Sequence, residues 1–138
     1  MKKNKNGFTM VELLAVIAVL GLLIAIATTA ITYSLEREKK KTAKISAKQY
    51  VTAVNDYNYI SSQSDKIPGT KLACTLQSGT IYRCNATSVS NVIKDSISGT
   101  LPTQGTVDID TSNYKVKSAS LTISGLTVNY SNSTYSVN

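Results

Sequence analysis

The chain has 138 residues, with 15 lysines and arginines against 8 aspartates and glutamates, a formal net charge of +7, and no histidine. Without histidine, serine and cysteine nucleophiles lack their usual general base. The chain's cysteines, two in number, fall short of the four ligands of a structural zinc site. We therefore expect no enzyme, no cofactor and no metal centre. The length accommodates one small extracellular domain and one membrane helix.

The first predicted element is a membrane-spanning helix. Residues 7–27 read GFTMVELLAVIAVLGLLIAIA and follow the basic stub MKKNKN. Residues 13–35 carry no formal charge, and a helix of that length spans about 35 Å, against a hydrocarbon core of ~30 Å. A conventional secretory signal also begins basic and apolar, so a cleaved signal peptide ending near residues 28–30 is a second interpretation.

Glu12 is the only charged residue within this apolar run. A charge at the bilayer centre costs about 2.5–3.5 kcal/mol on insertion scales, so an intramembrane carboxylate indicates a function and a partner. The alternative interpretation is structural, because Glu12 lies near enough to the N-terminal end of the run to reach the lipid headgroups.

The N-terminal segment combines a basic leader, a Gly–Phe junction and an acidic residue, in the order Lys2, Lys3, Lys5, Gly7, Phe8, Thr9 and Glu12. Together with the apolar run behind it, this order resembles the prepilin leader of the type IV pilins and pseudopilins. The resemblance covers residues 1–35. It implies that a prepilin peptidase cleaves between Gly7 and Phe8 and that Phe8 is then N-methylated. It also implies that Glu12 acts in assembly by pairing with the cationic amine of Phe8.

The same resemblance implies a domain organisation and a location. Residues 1–7 form the leader, residues 8–35 a transmembrane and filament-core helix, and residues 36–138 an extracellular globular domain. The precursor is then a single-pass protein of the cytoplasmic membrane, and the mature chain enters a cell-surface filament. The implied partners are other pilin copies in a homo- or hetero-polymer, the prepilin peptidase, an inner-membrane assembly platform and, before assembly, membrane lipid.

Two alternative functions share these features. One is a pseudopilin of a type II secretion or DNA-uptake machine, and the other is an uncleaved, membrane-anchored surface binding module. One position also departs from the family, since many pilins carry a proline where this chain has Thr29. Proline would delete a backbone donor and break the helix, so its absence weakens the expectation of a locally melted helix in the filament.

A basic cluster follows the apolar run and comprises Arg37, Lys39, Lys40, Lys41, Lys44 and Lys48, interleaved with Glu36 and Glu38. Counted by the positive-inside rule, the cluster favours the orientation opposite to the one that the leader implies. Its place at the membrane exit favours acidic lipid headgroups or neighbouring subunits as partners, and nucleic acid is possible but not indicated. Loss of three leader lysines leaves the mature chain at 12 − 8 = +4.

Apolar residues then recur at three- and four-residue steps, which predicts an amphipathic helix. The apolar stripe is Ala43, Ala47, Tyr50, Val51, Val54 and Tyr57, opposite Lys44, Lys48, Asn55 and Asp56. No glycine or proline interrupts residues 22–67, so we predict one helix from about Phe8 to about Ser61. For Tyr33, Tyr50 and Tyr57, packing of the helix is favoured over an aromatic path.

The stretch LACTLQSGTIYRC, centred on residues 78–80, predicts a β-hairpin. With a three-residue loop, Leu76 faces Tyr82 and Cys74 faces Cys84. An even cysteine pair outside the membrane indicates an oxidising compartment and a disulfide. A bond between subunits is the alternative.

The remaining residues predict a short helix and a sheet. Residues 88–98 place Val89, Val92, Ile93 and Ile97 at helical spacing. From Gly105 onward, alternation predicts three to four antiparallel strands in a meander. Their apolar residues are Val107, Ile109, Leu121, Ile123, Leu126, Val128 and Tyr130. Because a bare hairpin is marginal in water, the helix must cover them, and the predicted fold class is α+β, a long N-terminal helix packed on a small antiparallel β-meander.

Asp108 and Asp110 alternate by two and lie on one face of a predicted strand. Such carboxylates could form an acid/base pair or part of a calcium site. Solvated strand charges opposite Val107 and Ile109 are the favoured interpretation.

Overall fold

The computed structural model describes residues 7–63 and 74–138. The elements in chain order are helix α1 (Met10–Gln63), strands β1 (Cys74–Leu76) and β2 (Ile81–Asn85), helix α2 (Ala86–Ile93) with a 3₁₀ turn (Lys94–Ser96), and strands β3 (Gln104–Asp110), β4 (Val116–Ile123), β5 (Leu126–Ser131) and β6 (Thr134–Val137). The predicted α+β class is confirmed. The expected helix terminators Pro68 and Gly69 lie outside the described residues.

Contacts divide the chain into two units, with the boundary between Glu38 and Lys39 inside α1. In the first unit, the large apolar side chains are 49–90% exposed. The most apolar 18-residue window of α1 has a mean hydropathy of 2.8, and none of that window is buried. By length and composition α1 is therefore a candidate membrane span.

Helix α1 continues through the position where many pilins have proline. Three threonine hydroxyls in this part donate to the carbonyl oxygen three residues earlier, at 2.9–3.0 Å, and they belong to Thr28, Thr29 and Thr32. These bonds satisfy the hydroxyls within the helix, which hydrocarbon surroundings require because no water is available there.

All six strands form one antiparallel sheet, in which spatial order equals chain order from β1 to β6. The prediction of a separate hairpin followed by a meander was incomplete, because β2 pairs with β3 over residues 81–85 and 106–110. Strand β4 runs without interruption from Val116 to Ile123. The register of β3 against β4 shifts between Asp108 and Ile109, and such a bulge lets a strand bend without ending.

The hairpin of β1 and β2 has the predicted register. Cys74 pairs with Cys84, and Leu76 pairs with Tyr82. A disulfide joins Cys74 to Cys84 within the chain. The structure thus has the intramolecular bond that the hairpin register predicts.

In the second unit, the core lies between α1, α2 and one face of the sheet. The predicted helix stripe is confirmed, since Ala43, Ala47, Tyr50, Val51 and Val54 are buried and Tyr57 packs against them. The predicted sheet face is confirmed as well, with Val107, Ile109, Leu121, Ile123 and Val128 buried and Leu126 and Tyr130 at its margin. The hydroxyl of Tyr50 donates to the carbonyl of Ala86 at 3.1 Å, which ties α1 to the start of α2.

The sequence pattern places Asn55 on the solvent-facing side of α1, opposite the apolar stripe, but its side chain has a hydrogen-bond partner. Its Oδ1 accepts a hydrogen bond from the amide of Val116 at 2.8 Å. Asn58 is fully buried, and its Nδ2 donates to the carbonyl of Tyr114 at 3.0 Å. The two side chains thus bind backbone groups at and beside the turn between β3 and β4, which ties α1 to that turn.

Helix α2 begins and ends earlier than predicted. Asn85 caps it by accepting the amide hydrogen of Thr87 at 2.9 Å, so the helix starts at Ala86 and not near residue 88. Val92, which the predicted apolar spacing included, lies on the outer side of the helix and is 40% exposed. Ser90 lies on the buried side and donates to the carbonyl of Ala86 at 2.7 Å.

Replacing both Cys74 and Cys84 with serine should lower the free energy of unfolding by about 2.5–3 kcal/mol, because the short loop regains conformational freedom in the unfolded chain. Urea unfolding of the full chain in detergent measures the difference. Reduced wild-type protein is the control and should unfold at the same urea concentration as the double variant. Two free thiols in non-reduced extracellular material would contradict the disulfide.

Candidate functional site

The predicted processing site lies in backbone that precedes α1. Gly7 and Phe8 are not helical, and Phe8 is 85% exposed. A Cβ atom added at Gly7 would meet no other atom within 4 Å. Among the described residues, nothing therefore requires glycine at this position. The leader lysines lie outside the described residues.

The start of α1 is fixed by Thr9 and Glu12. The amide and the hydroxyl of Thr9 both donate to Oε2 of Glu12, at 2.8 and 2.9 Å, and the amide of Glu12 donates back to Oγ1 of Thr9 at 3.3 Å. This reciprocal arrangement is a capping box, which satisfies helix amides that have no partner inside the helix. It places the negative carboxylate at the positive end of the helix dipole.

The capping box corrects the predicted start of the helix. The expectation of a helix from about Phe8 was wrong by two residues, because Thr9 is the cap and Met10 is the first helical residue. The pattern Thr-x-x-Glu just before an apolar run is a known signature of such a start, so the signal was present in the sequence. Glu12 thus has a partner in its own chain already, in addition to any partner that assembly provides.

The tyrosines of α1 have separate environments. Tyr50 lies in the core, as helix packing predicts. Tyr33 is 65% exposed, and the guanidinium carbon of Arg37 lies 5.9 Å from the centre of its ring. For Tyr33, packing of the helix against other helices stays a prediction, because its own chain does not cover the ring.

The carboxylates of Asp108 and Asp110 have separate hydrogen-bond partners. Asp108 accepts hydrogen bonds from Nε and Nη2 of Arg83 at 2.7 and 3.0 Å and from the hydroxyl of Ser118 at 3.0 Å. Asp110 accepts from the amide and hydroxyl of Ser112 at 2.8 and 2.6 Å. The prediction of plain solvated charges is thus corrected for Asp108, which is in an ion pair. Within residues 7–63 and 74–138, no cluster of three metal-ligating side chains is present.

These contacts lower the pKa of both carboxyl groups. The guanidinium of Arg83 holds the pKa of Asp108 below its usual range, assisted by Ser118 and opposed by partial burial. The hydroxyl and amide of Ser112 likewise lower the pKa of Asp110. In both groups the hydrogen bonds favour the ionised carboxylate.

Residues 2–28 match the family model of the prokaryotic N-terminal methylation motif. The chain carries the prepilin signature. This finding confirms the resemblance to type IV pilins and pseudopilins, a structural family without enzymatic activity, and the motif fits a precursor anchored by an apolar N-terminal helix. No curated protein and no solved structure matches the chain. Cleavage after Gly7, methylation of Phe8 and the assembly role of Glu12 stay predictions.

Asp108→Asn should make the stability of the protein less sensitive to acid. The folded pKa of Asp108 is lower than that of an unfolded aspartate, about 3.9. The unfolded chain therefore binds the proton first, and the stabilisation present above pH ~4 is lost as the pH falls toward the folded pKa.

Urea unfolding midpoints between pH ~6 and ~2 test this prediction. The wild-type midpoint should fall more steeply with acid than that of Asp108→Asn. Asp95→Asn, at an exposed carboxylate on the 3₁₀ turn, is the matched control and should follow the wild-type curve. Parallel curves for Asp108→Asn and wild type would contradict the proposed role of the ion pair.

Proposed function

We propose that the protein is the structural subunit of a type IV pilus-like surface filament, made as a membrane-anchored prepilin and assembled through α1. The observation that carries this proposal is the methylation motif at residues 2–28, continuous with an exposed apolar helix. In this proposal residues 1–7 are the leader, residues 8–35 the membrane and filament-core segment, and residues 36–138 the extracellular domain.

Processing is supported by the local backbone around the junction. Gly7 and Phe8 lie before the first helical residue, so the bond between them is not held in the hydrogen bonds of α1. The capping box begins at Thr9 and Glu12, so cleavage before Phe8 leaves it intact. The new amine of Phe8 then lies one residue before the helix cap.

Assembly is driven by contacts that are more specific than hydrophobic burial. Lipid tails are as apolar as leucine, so transfer of α1 from lipid into a bundle of helices gains little hydrophobic free energy. The stagger between subunits must then come from side-chain packing and from buried charges. An unpaired charge in a dry bundle is strongly destabilising, whereas a matched pair recovers much of its desolvation cost. Glu12 and the Phe8 amine of a neighbouring copy are the proposed pair.

The second unit supports an extracellular location for the rest of the chain. Its only cysteines, Cys74 and Cys84, are joined, and disulfides persist in oxidising compartments. The sheet buries one face against α1 and α2, so the second unit has its own core.

Cleavage at Gly7–Phe8 predicts the mass of the mature protein. Filament-derived protein should lack MKKNKNG and carry one methyl group on Phe8. Gly7→Leu should accumulate as full-length precursor, since the structure tolerates a side chain there and only the peptidase would be obstructed. Gly21→Leu is the matched control and should be processed, because a Cβ at Gly21 also meets nothing within 4 Å. An intact mass that includes the leader would favour the uncleaved anchor instead.

Glu12→Gln should sharply reduce the yield of filaments while the precursor still inserts and its extracellular domain still folds. Glutamine at this position keeps the reciprocal capping bond, so the variant removes the charge and leaves the helix start. Thr9→Ala is the complementary control, because it removes the cap and leaves the charge. Electron microscopy of sheared surface material compares the two.

The two variants separate the proposed roles of Glu12. If the charge pair sets the subunit stagger, Glu12→Gln loses filaments and Thr9→Ala retains most of them. If Glu12 is only a cap, Thr9→Ala loses filaments and Glu12→Gln retains most of them. Abundant filaments from Glu12→Gln would contradict the charge pair.

A further inference from the structure

The first unit carries an exposed aromatic–cationic pair where its apolar residues end. Tyr33 is 65% exposed, and the guanidinium of Arg37 lies 5.9 Å from its ring centre, within the range of a cation–π contact. The two residues are one helical turn apart, so they lie on one side of α1. Tyrosine is enriched where a membrane meets water, because its ring is apolar and its hydroxyl is polar.

The spacing between the two polar ends of the segment matches a bilayer. Glu12 and Tyr33 are 33 − 12 = 21 residues apart in α1, which corresponds to about 32 Å of helix. The hydrocarbon core of a bilayer is ~30 Å thick. When Glu12 lies at one boundary, Tyr33 and Arg37 lie at the headgroups of the other.

The cations at this boundary have no anionic partner in the described part of the chain. Within residues 7–63 and 74–138 the only ion pair is that of Arg83 with Asp108. Glu36 and Glu38 flank Arg37 in sequence without forming an ion pair with it in this region. Lys39, Lys40 and Lys41 follow directly along the chain, so the positive charge is locally in excess.

We propose that Tyr33 and Arg37 form a headgroup anchor that binds the phosphate of anionic phospholipids and holds the precursor at a defined depth before assembly. The anchor rests on the proposed membrane-anchored precursor. The local excess of positive charge favours an anionic lipid as the bound group, since an anionic surface attracts each nearby lysine or arginine. Arginine also binds phosphate with two parallel hydrogen bonds. The aromatic ring fixes the depth, and the guanidinium selects the charge of the lipid.

This anchor also gives a role to cations that oppose the orientation implied by the leader. Basic residues after a membrane segment normally favour its cytoplasmic side. Pairing Arg37 and the following lysines with lipid phosphate neutralises them at the exit face. The precursor then stays in place until a filament receives it.

Because the chain contains no tryptophan, Tyr33→Trp creates a single fluorescent reporter that keeps an interfacial aromatic ring. The full-length variant is reconstituted into vesicles of phosphatidylcholine and phosphatidylglycerol in equal amounts, with bromine on one lipid at a time. Brominated phosphatidylglycerol should quench the tryptophan more strongly than brominated phosphatidylcholine. Bromine near the headgroup end of the chain should quench more than bromine at its tip.

Adding Arg37→Gln should reduce the preference for phosphatidylglycerol by roughly two- to fivefold, which is the factor for one basic side chain near an anionic surface. Arg37→Lys keeps the charge and should retain most of the preference. Lys117→Gln, at an exposed lysine of β4, is the matched control and should leave it unchanged.

Equal quenching by the two lipids, unchanged by Arg37→Gln, would overturn the anchor. So would Arg37→Gln weakening the binding of an oligonucleotide or an acidic protein with no effect on lipid preference. If alkaline carbonate extracted the protein from the vesicles, that result would contradict the proposal that the precursor is anchored in the membrane. Membrane insertion without a preference for phosphatidylglycerol would therefore contradict the headgroup anchor but not the membrane-anchored precursor.

Discussion

The apolar surface of α1 before residue 36 needs a cover of lipid or of other apolar helices. Leu14, Leu22 and Ile26 are 63–66% exposed, and burial of each such side chain is worth about 1.5–3 kcal/mol. Water is therefore an unfavourable solvent for a run of this length. Because a bilayer and a bundle of helices are about equally apolar, the choice between them depends on specific contacts.

The polar groups within that surface fit the same constraint. Thr28, Thr29 and Thr32 place their hydroxyls on carbonyls of their own helix, and Thr9 holds the carboxylate of Glu12. An unsatisfied polar group in hydrocarbon costs several kcal/mol. The capping box therefore lets Glu12 enter an apolar environment with hydrogen-bond partners. A proposed amine partner from a neighbouring copy would meet a carboxylate whose position is already fixed.

Short-range patterns in the sequence predicted much of the fold and of the candidate site. The burial of Tyr50 and Val54 and the pairing of Cys74 with Cys84 followed from helical period and hairpin geometry. The methylation motif is also a linear signal. The Thr-x-x-Glu pattern that caps α1 at Thr9 is a linear signal as well.

Patterns over residues a few positions apart were enough to predict the apolar segment, the methylation motif, the amphipathic stripe and the strands. Which distant groups meet depends on the folded backbone. Arg83 binds Asp108 across 25 residues, and Asn58 binds Tyr114 across 56. Those contacts require β2 to join β3 and α1 to lie against the turn after β3. No local period encodes them, because the partner of a buried polar group is whichever complementary group the packed backbone brings within reach.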